Sequence, residues 1–198
     1  MAVGAADKMD REARLRVLLD DLAGLAEIDV NRVYATGMSN GGMMAYRLAS
    51  ELSDRFAAIA SVSGPMTIDT CRPNRPVSIL HFHGTADEFA PYYGGRGPKS
   101  LTETEFRSVE LSVQSWIEAN GCPRDPTEED ISDSEDVLRI EKRRWGPGEE
   151  GSEVVLYTIR GGGHTWPGRV PLAAYLGAAA TAISANDILW DFFQRHSR

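Results

Sequence analysis

The feature that most constrains this chain is the segment Tyr34–Tyr46, which contains Gly-x-Ser-x-Gly between a β-branched, aromatic run and a helix-forming run. A strand that turns sharply into a helix lifts one side chain out of the backbone, and a Cβ at the flanking Gly37 and Gly41 would collide with that turn. The serine then has its backbone N–H at a helix N-terminus, where negative charge is stabilised. We therefore predict that Ser39 is a nucleophile. The competing interpretation is a glycine-rich turn whose serine caps the helix.

A serine nucleophile requires an acid and a histidine, which follow it in that order in this strand–turn–helix arrangement. Val77–Gly84 is predicted to be a buried strand, and Asp87 follows its end, where an open parallel sheet places site residues. Asp87 is our candidate acid, although an aspartate in a turn is also ordinary turn chemistry. The later acidic residues have no strand before them and are interpreted as solvated loop charges: Asp125, Asp130, Asp133 and Asp136.

One of the four histidines suits the role of the general base. His164 lies in the glycine loop that follows the predicted strand Val154–Ile159, and it comes after the candidate acid. The alternative for His164 is a loop histidine bonded to a nearby carbonyl. His81 lies inside a strand, His83 precedes the acid, and His196 is near the C-terminus.

Three ordered blocks, Gly37–Met43, His81–Asp87 and Gly161–Gly168, together resemble the polyhydroxybutyrate depolymerase/feruloyl esterase family of α/β-hydrolases. The resemblance extends from about Arg14 to the C-terminal helix. It implies an α/β-hydrolase fold, with a mostly parallel sheet flanked by helices, and a secreted serine carboxylic-ester hydrolase.

The implied triad is Ser39, Asp87 and His164, with an acyl-enzyme intermediate and no cofactor. The implied substrates are feruloyl, acetyl or polyhydroxyalkanoate-type esters, either small or polymer-linked. The resemblance also implies that Trp166 lines the substrate pocket, and the competing interpretation is an aromatic residue packed on the sheet edge. An extracellular or periplasmic location is expected from the family, although Met1–Asp10 lacks the basic start and apolar stretch of a signal peptide.

The chain departs from the family at its N-terminus. The oxyanion hole of this fold uses the backbone N–H of the residue after the nucleophile, here Asn40, and a second N–H from a His-Gly loop after an earlier strand. We find no such strand before Ser39, because Asp10–Ala26 has the apolar spacing of one amphipathic helix. We therefore expect the N-terminal strands, about the first third of the domain, to be missing. A catalytically impaired fragment and a prolyl-oligopeptidase-like serine peptidase remain alternatives.

Composition supports one globular domain over residues 1–198, since 42% of the residues are hydrophobic and 25% are charged. The net charge of −8 argues against nucleic acid and against an anionic membrane surface. No apolar run approaches the roughly 18 residues of a membrane span, and no group of side chains has metal-ligand spacing. The resemblance implies a disulfide from Cys122 to a later cysteine, which this sequence lacks. A Cys71–Cys122 disulfide is open, and we favour two free, buried thiols.

Strands and helices alternate along the chain, as in an α/β protein. Strands are predicted near Arg32–Thr36, over Phe56–Val62 and Val77–Gly84, and as a hairpin of Leu138–Trp145 with Glu153–Ile159; helices are predicted from the elbow to about Leu52, over Thr102–Asn120 and over Ala178–Arg195, and Cys122–Asp136 is predicted to be a surface loop. The first strand would then be an unpaired sheet edge, which favours self-association.

Overall fold

The computed structural model of the chain describes residues 3–132 and 138–198, and their side chains from residue 13 onward. The helices are α1 (Val3–Leu25), α2 (Asn40–Glu51), α3 (Val109–Ala119) and α4 (Ala185–Gln194). The strands are β1 (Tyr34–Met38), β2 (Ala58–Val62), β3 (Ser78–Gly84), β4 (Thr127–Asp130), β5 (Arg139–Trp145) and β6 (Val154–Arg160). Short 3-10 turns cover Glu149–Gly151 and Ala174–Leu176.

The strands form one mixed sheet in the order β1-β2-β3-β6-β5-β4. The four strands β1, β2, β3 and β6 are parallel, whereas β5 and β4 add to the sheet in antiparallel pairing. Every residue of β2 and β3 is buried, as expected for parallel strands covered on both faces. The predicted α/β-hydrolase sheet flanked by helices and the predicted β5–β6 hairpin are both confirmed.

Alternate residues of β3 face opposite layers. Ile79 belongs to a core cluster with residues of α2 and α3, such as Tyr46 and Trp116. Leu80 and Phe82 belong to a second cluster on the other face, which α4 covers. The two-residue period of a strand therefore places His81 and His83 on the α2 side of the sheet.

Two predicted helices begin later than expected. The N-terminal cap of α3 is Ser108, whose hydroxyl accepts a hydrogen bond from the Leu111 N–H, so the helix begins at Val109 and not near Thr102. The cap of α4 is Ser184, whose hydroxyl accepts from the Asp187 N–H. Each serine stabilises a helix start at the following residue, because it satisfies one of the N–H groups that lack an intrahelical partner.

The prediction of a surface loop over Cys122–Asp136 was wrong in part, because this segment contains strand β4. The four residues of β4 are exposed and acidic or polar, a composition that does not favour strands. The strand forms because it pairs with the basic strand β5, where Lys142 Nζ lies 3.0 Å from Glu129 and Arg139 Nε lies 3.0 Å from Asp130. Asp130 is thus a strand residue, and the predictions for Asp133 and Asp136 lie outside the described residues.

The N-terminal helix is present, but its apolar residues are only partly buried. Leu15 and Leu19 are half-buried, whereas Leu18, Leu22 and Leu25 are exposed. The helix contacts the rest of the domain through two ion pairs, Arg16 with Asp54 and Asp20 with Arg55. Strand β1 forms one edge of the sheet, as predicted, and within the described part of the chain it pairs with β2 alone. No helix among the described residues has the length and hydropathy of a membrane span.

Candidate active site

The turn between β1 and α2 places Ser39 in a strained conformation. Its φ is 56° and its ψ is −120°, a region that residues with a Cβ rarely adopt. Its backbone N–H donates to the Val62 carbonyl at 2.8 Å, and its own carbonyl accepts from the Met43 N–H at 3.0 Å. The Ser39 side chain makes no capping hydrogen bond to α2. The turn is therefore built to expose this side chain, and the interpretation of Ser39 as a helix cap is excluded.

The glycines around Ser39 are not equivalent. A Cβ at Gly37 would lie 2.6 Å from the carbonyl carbon of Gly41, whereas a Cβ at Gly41 would meet nothing described within 4 Å. The second tight position is Gly42, where a Cβ would lie 2.3 Å from Ser61 Oγ. Gly64 also contacts the turn, since a Cβ there would lie 2.4 Å from the Ser39 carbonyl oxygen. The prediction of a collision is thus correct for Gly37 and wrong for Gly41.

Asp87 and His164 form a buried hydrogen-bonded pair. Asp87 Oδ2 accepts from His164 Nδ1 at 2.7 Å, and Asp87 Oδ1 accepts from the backbone N–H groups of Phe89 and Ala90 at 2.8 and 2.9 Å. Burial raises the pKa of Asp87, but the hydrogen bonds from His164 and His83 outweigh it, and the net effect lowers the pKa well below its ordinary value. Asp87 is therefore a carboxylate held in one orientation, with His164 Nε2 left free to act as a base.

Glycines allow the loop that carries His164 to lie directly on the end of β3. A Cβ at Gly84 would lie 2.1 Å from the Gly162 carbonyl oxygen, and a Cβ at Gly163 would lie 2.1 Å from the Leu176 carbonyl oxygen. The backbone N–H of His164 donates to that same Leu176 carbonyl at 2.7 Å. Close approach of three backbone segments thus fixes the histidine next to the loop of Asp87.

The three predicted triad residues lie at the carboxyl ends of parallel strands, on the same side of the sheet. Ser39 follows the carboxyl end of β1, Asp87 follows that of β3, and His164 follows that of β6, and these strands are parallel. Among the described residues, Ser39 Oγ has no hydrogen-bond partner, so the contact with His164 is not formed. Catalytic hydrogen bonds are often longer without substrate than with it. The structure thus pairs the acid with the histidine and presents the serine at the same edge.

Comparison with known proteins agrees with the α/β-hydrolase fold. Residues 18–74 match the prolyl oligopeptidase family. The chain is 34% identical over 193 residues to NocK of Nocardia uniformis, a protein assigned as a putative esterase, and the match covers 89% of this chain and 55% of NocK. It is 30% identical to feruloyl esterase B of Piromyces equi, over 75% of this chain and 28% of that enzyme. This chain has the α/β-hydrolase fold and is similar to esterases over part of their length.

A third relative of the chain is the bifunctional acetylxylan esterase/xylanase XynS20E of Neocallimastix patriciarum. The two are 27% identical over 148 residues, and the match covers 75% of this chain and 20% of the relative. The chain spans about half the length of NocK and less than a third of the other two relatives.

The predicted oxyanion and substrate residues lie in different settings. Asn40 is the exposed first residue of α2, so its backbone N–H is among those that have no intrahelical acceptor. Trp166 is half-buried against the core cluster beneath α4, and its Nε1 donates to Asn186 Oδ1 at 2.9 Å. The packing of Trp166 accounts for it as a structural residue, and its role in substrate binding stays a prediction.

Sequence reasoning missed an aromatic pair at the candidate site. The Phe89 ring lies 5.1 Å from the His164 ring and 6.2 Å from the Tyr175 ring, measured between centroids. Tyr175 is 64% exposed. Phe89 is two residues after Asp87, so its closeness to the site could have been predicted from the sequence. Tyr175 comes from a separate loop that only the fold brings close.

Neither cysteine has the properties of a nucleophile. Cys71 and Cys122 are free and half-buried, as favoured from the sequence. Burial raises the pKa of the Cys71 thiol to about 12 and raises that of Cys122 as well, so both are protonated at neutral pH. Within the described ranges, no group of three or more His, Cys, Asp or Glu side chains is arranged to hold a metal ion.

Proposed function

We propose that this α/β-hydrolase is a serine carboxylic-ester hydrolase that acts through Ser39, Asp87 and His164. The observation that carries the proposal is the buried Asp87–His164 hydrogen bond of 2.7 Å, at the sheet edge where the strained turn presents Ser39. A carboxylate that holds a histidine, with a serine presented at the same ends of the parallel strands, is the arrangement that can activate a hydroxyl for acyl transfer.

The reaction proceeds in two halves. His164 Nε2 takes the proton of Ser39 as Oγ attacks the ester carbonyl, while Asp87 holds the imidazole in the required tautomer and stabilises its charged form. The backbone N–H of Asn40 donates to the developing oxyanion. His164 then gives its proton to the departing alcohol, and water hydrolyses the acyl-enzyme by the same route.

For the substrate we propose feruloyl, acetyl or polyhydroxyalkanoate-type esters, small or polymer-linked. Among these, the aromatic pair Phe89 and Tyr175 beside His164 favours an aromatic acyl group, because offset or edge-to-face ring contacts add to the burial of apolar area. The relatives named as feruloyl esterases support the same choice. We also propose an extracellular or periplasmic location, on the family resemblance.

The test compares hydrolysis of p-nitrophenyl acetate, methyl ferulate and a hydroxybutyrate oligomer by wild type and by Ser39→Ala. A matched control is Ser115→Ala, which removes an exposed hydroxyl whose hydrogen bond returns to its own helix. We expect Ser39→Ala to abolish turnover and Ser115→Ala to retain it. Wild-type turnover equal to that of Ser39→Ala, in a folded sample, would refute the proposed activity and support the impaired fragment. Hydrolysis of the acetate alone would indicate a missing oxyanion donor, whose loss costs about 10²–10³ in turnover.

A serine peptidase is the second candidate, because residues 18–74 match the prolyl oligopeptidase family. Esterases and peptidases share the nucleophile turn and the order of the triad, so this match does not separate them. Assays with aminoacyl p-nitroanilides separate the two activities. Ser39-dependent cleavage of the anilides without cleavage of the esters would favour the peptidase.

A further inference from the structure

Three buried side chains outside the triad form a continuous hydrogen-bonded chain that reaches the acid loop. Tyr46 OH lies 2.9 Å from His81 Nδ1, His81 Nε2 lies 3.0 Å from His83 Nδ1, and His83 Nε2 lies 2.7 Å from the Ala90 carbonyl oxygen. Tyr46, His81 and His83 are each at most 1% exposed. The two imidazole rings are stacked, with an interplanar angle of 4°.

The end of this chain fixes the direction of every proton in it. A carbonyl oxygen only accepts hydrogen bonds, so His83 Nε2 must carry the proton that it donates to Ala90. In a neutral imidazole the other nitrogen is then an acceptor, and His83 Nδ1 accepts from His81 Nε2–H. His81 Nδ1 is an acceptor for the same reason, and Tyr46 OH is its donor.

The burial of these groups agrees with that proton order. Desolvation, followed by the neighbouring His83, lowers the pKa of His81 well below its usual value, which favours the neutral ring. Burial raises the pKa of Tyr46, so its hydroxyl keeps the proton that it donates. All donors and acceptors between Tyr46 and Ala90 are satisfied in one tautomeric arrangement.

The chain ends on the loop that orients the catalytic acid. Ala90 accepts from His83 through its carbonyl and donates through its N–H to Asp87 Oδ1. His83 Nε2 also lies 3.4 Å from Asp87 Oδ2, the oxygen that accepts from His164. The same N–H of His83 therefore faces both the loop carbonyl and the carboxylate.

We propose that His83 is a positioning residue for Asp87, and that Tyr46, acting through His81, supports His83 as a donor toward the acid loop. The kinetic consequence rests on the proposed function, whereas the proton order does not. Tyr46 lies on α2, the helix that begins next to Ser39. The helix that follows the nucleophile thus also sets the hydrogen-bonding state of the acid.

Removing the Tyr46 hydroxyl should weaken this arrangement without reversing it. Without that donor, the lone pair of His81 Nδ1 is buried without a partner. The reversed order would turn a lone pair of His83 Nε2 toward the Ala90 carbonyl and Asp87, which is repulsive, so the proton stays on His83 Nε2. The network then lacks its last hydrogen bond, and we expect His83 to hold the acid loop less rigidly, although Tyr46→Phe changes only one atom in the core.

The first experiment measures tautomers and needs no substrate. Two-bond ¹H–¹⁵N spectra distinguish protonated from bare ring nitrogens, and the His164 Nδ1 proton bonded to Asp87 should give a downfield resonance. We expect wild type to show His81 and His83 protonated at Nε2. We expect His83→Phe to shift the His164 resonance, and Tyr46→Phe to shift it less while His83 keeps its proton on Nε2. The matched control is Tyr92→Phe, because the Tyr92 ring contacts His83 but its hydroxyl bonds Glu110 and Thr158 instead.

The second experiment measures kcat and KM with p-nitrophenyl acetate. His83→Phe removes the donor, and we expect kcat to fall about 10- to 100-fold with KM little changed, because a misplacement near 1 Å costs about 10²-fold. His83→Gln keeps an N–H at the end of a side chain of suitable length and should restore most of kcat. We expect the kcat of Tyr46→Phe to lie between those of the two His83 variants, and the kcat of Tyr92→Phe to match that of wild type.

The outcomes separate this proposal from the proposed function. A wild-type kcat and an unshifted His164 resonance in both His83→Phe and Tyr46→Phe would overturn the positioning role. An equal loss of kcat in His83→Gln and His83→Phe would overturn it as well. If wild type shows no Ser39-dependent turnover, the proposed function fails, and the network is decided by the tautomers of His81 and His83 in wild type together with the His164 resonance in His83→Phe.

Discussion

The two glycines of the Gly-x-Ser-x-Gly segment should respond oppositely to the same substitution. In Gly37→Ala, the new Cβ would lie 2.6 Å from the Gly41 carbonyl carbon and 2.7 Å from Gly41 Cα. In Gly41→Ala, the Cβ would project from an exposed helical position and meet nothing described within 4 Å. The first change therefore strains the nucleophile turn, whereas the second adds a better helix former.

The sizes of both effects follow from these distances. Carbon atoms pack at about 3.5 Å or more, so Gly37→Ala requires a displacement of about 1 Å between two backbone segments that cannot rotate away. Overpacking of this kind costs about 1–3 kcal/mol, and a 1 Å displacement of Ser39 should lower kcat about 10²-fold. Gly41→Ala should stabilise the protein by about 0.5–1 kcal/mol, with little change in the position of Ser39.

Thermal unfolding and p-nitrophenyl acetate hydrolysis measure both quantities on the same samples. For a chain of this size, about 1 kcal/mol corresponds to a shift of about 2–4 °C in Tm. We expect a lower Tm and a lower kcat for Gly37→Ala, and an equal or higher Tm with near-normal kcat for Gly41→Ala. A Gly37→Ala variant as stable and active as wild type would refute the steric reasoning. So would a Gly41→Ala variant that is the less stable of the two.

Three further predictions concern the acid and the sheet edge. Asp87→Asn keeps an oxygen for the loop N–H groups but presents an N–H to His164 Nδ1. The proton of His164 then moves to Nε2, and kcat should fall about 10⁴-fold. A fall of less than tenfold in an ester assay on the folded variant would contradict this. Burial raises the pKa of Asp87, but hydrogen bonds from His164 and His83 lower it below the ordinary 3.8, so its stabilisation is complete above that pH and decreases as the pH falls below it. The Tm advantage of wild type over Asp87→Asn should therefore shrink as the pH falls below about 4, and parallel Tm curves over that range would argue against it. Strand β1 is an open edge, so we propose that the chain self-associates there and that Thr36→Lys reduces the association; a sharp wild-type monomer in sedimentation velocity, with a cooperative melt, would exclude it.

The parallel strands could be predicted closely from the sequence, because each is a short apolar run that ends in a turn. The strand predicted over Val77–Gly84 is observed as Ser78–Gly84, and that over Phe56–Val62 is observed as Ala58–Val62. Both are buried on two faces, so burial alone selects their composition. The helix starts were wrong although a signal was present, since serine caps at Ser108 and Ser184 mark them.

Strand β4 shows where local sequence cannot decide. Its residues Thr127–Asp130 have a composition that favours a loop, and they become a strand because β5 offers opposite charges across the pair. Those partners are more than ten residues away, and the register that aligns them is set by tertiary pairing. Propensity within the segment therefore gives the wrong answer, and only the neighbouring strand corrects it.

The candidate site, like the fold, could be predicted only in part from the sequence. The order of Ser39, Asp87 and His164 is a consequence of topology, since parallel strands bring their carboxyl ends to one edge, and it could be predicted from strands and turns alone. The roles of His81 and His83 could not. Their two-residue spacing shows that they share a face of β3, but which helix covers that face depends on how α2 lies on the sheet after the turn at Ser39. Once Tyr46 is seen to meet His81, the proton order follows from one carbonyl at Ala90. His81 was excluded as a catalytic base because it lies inside a strand, and His83 because it precedes the acid. We propose that His83, at the end of that buried strand, holds the acid in place.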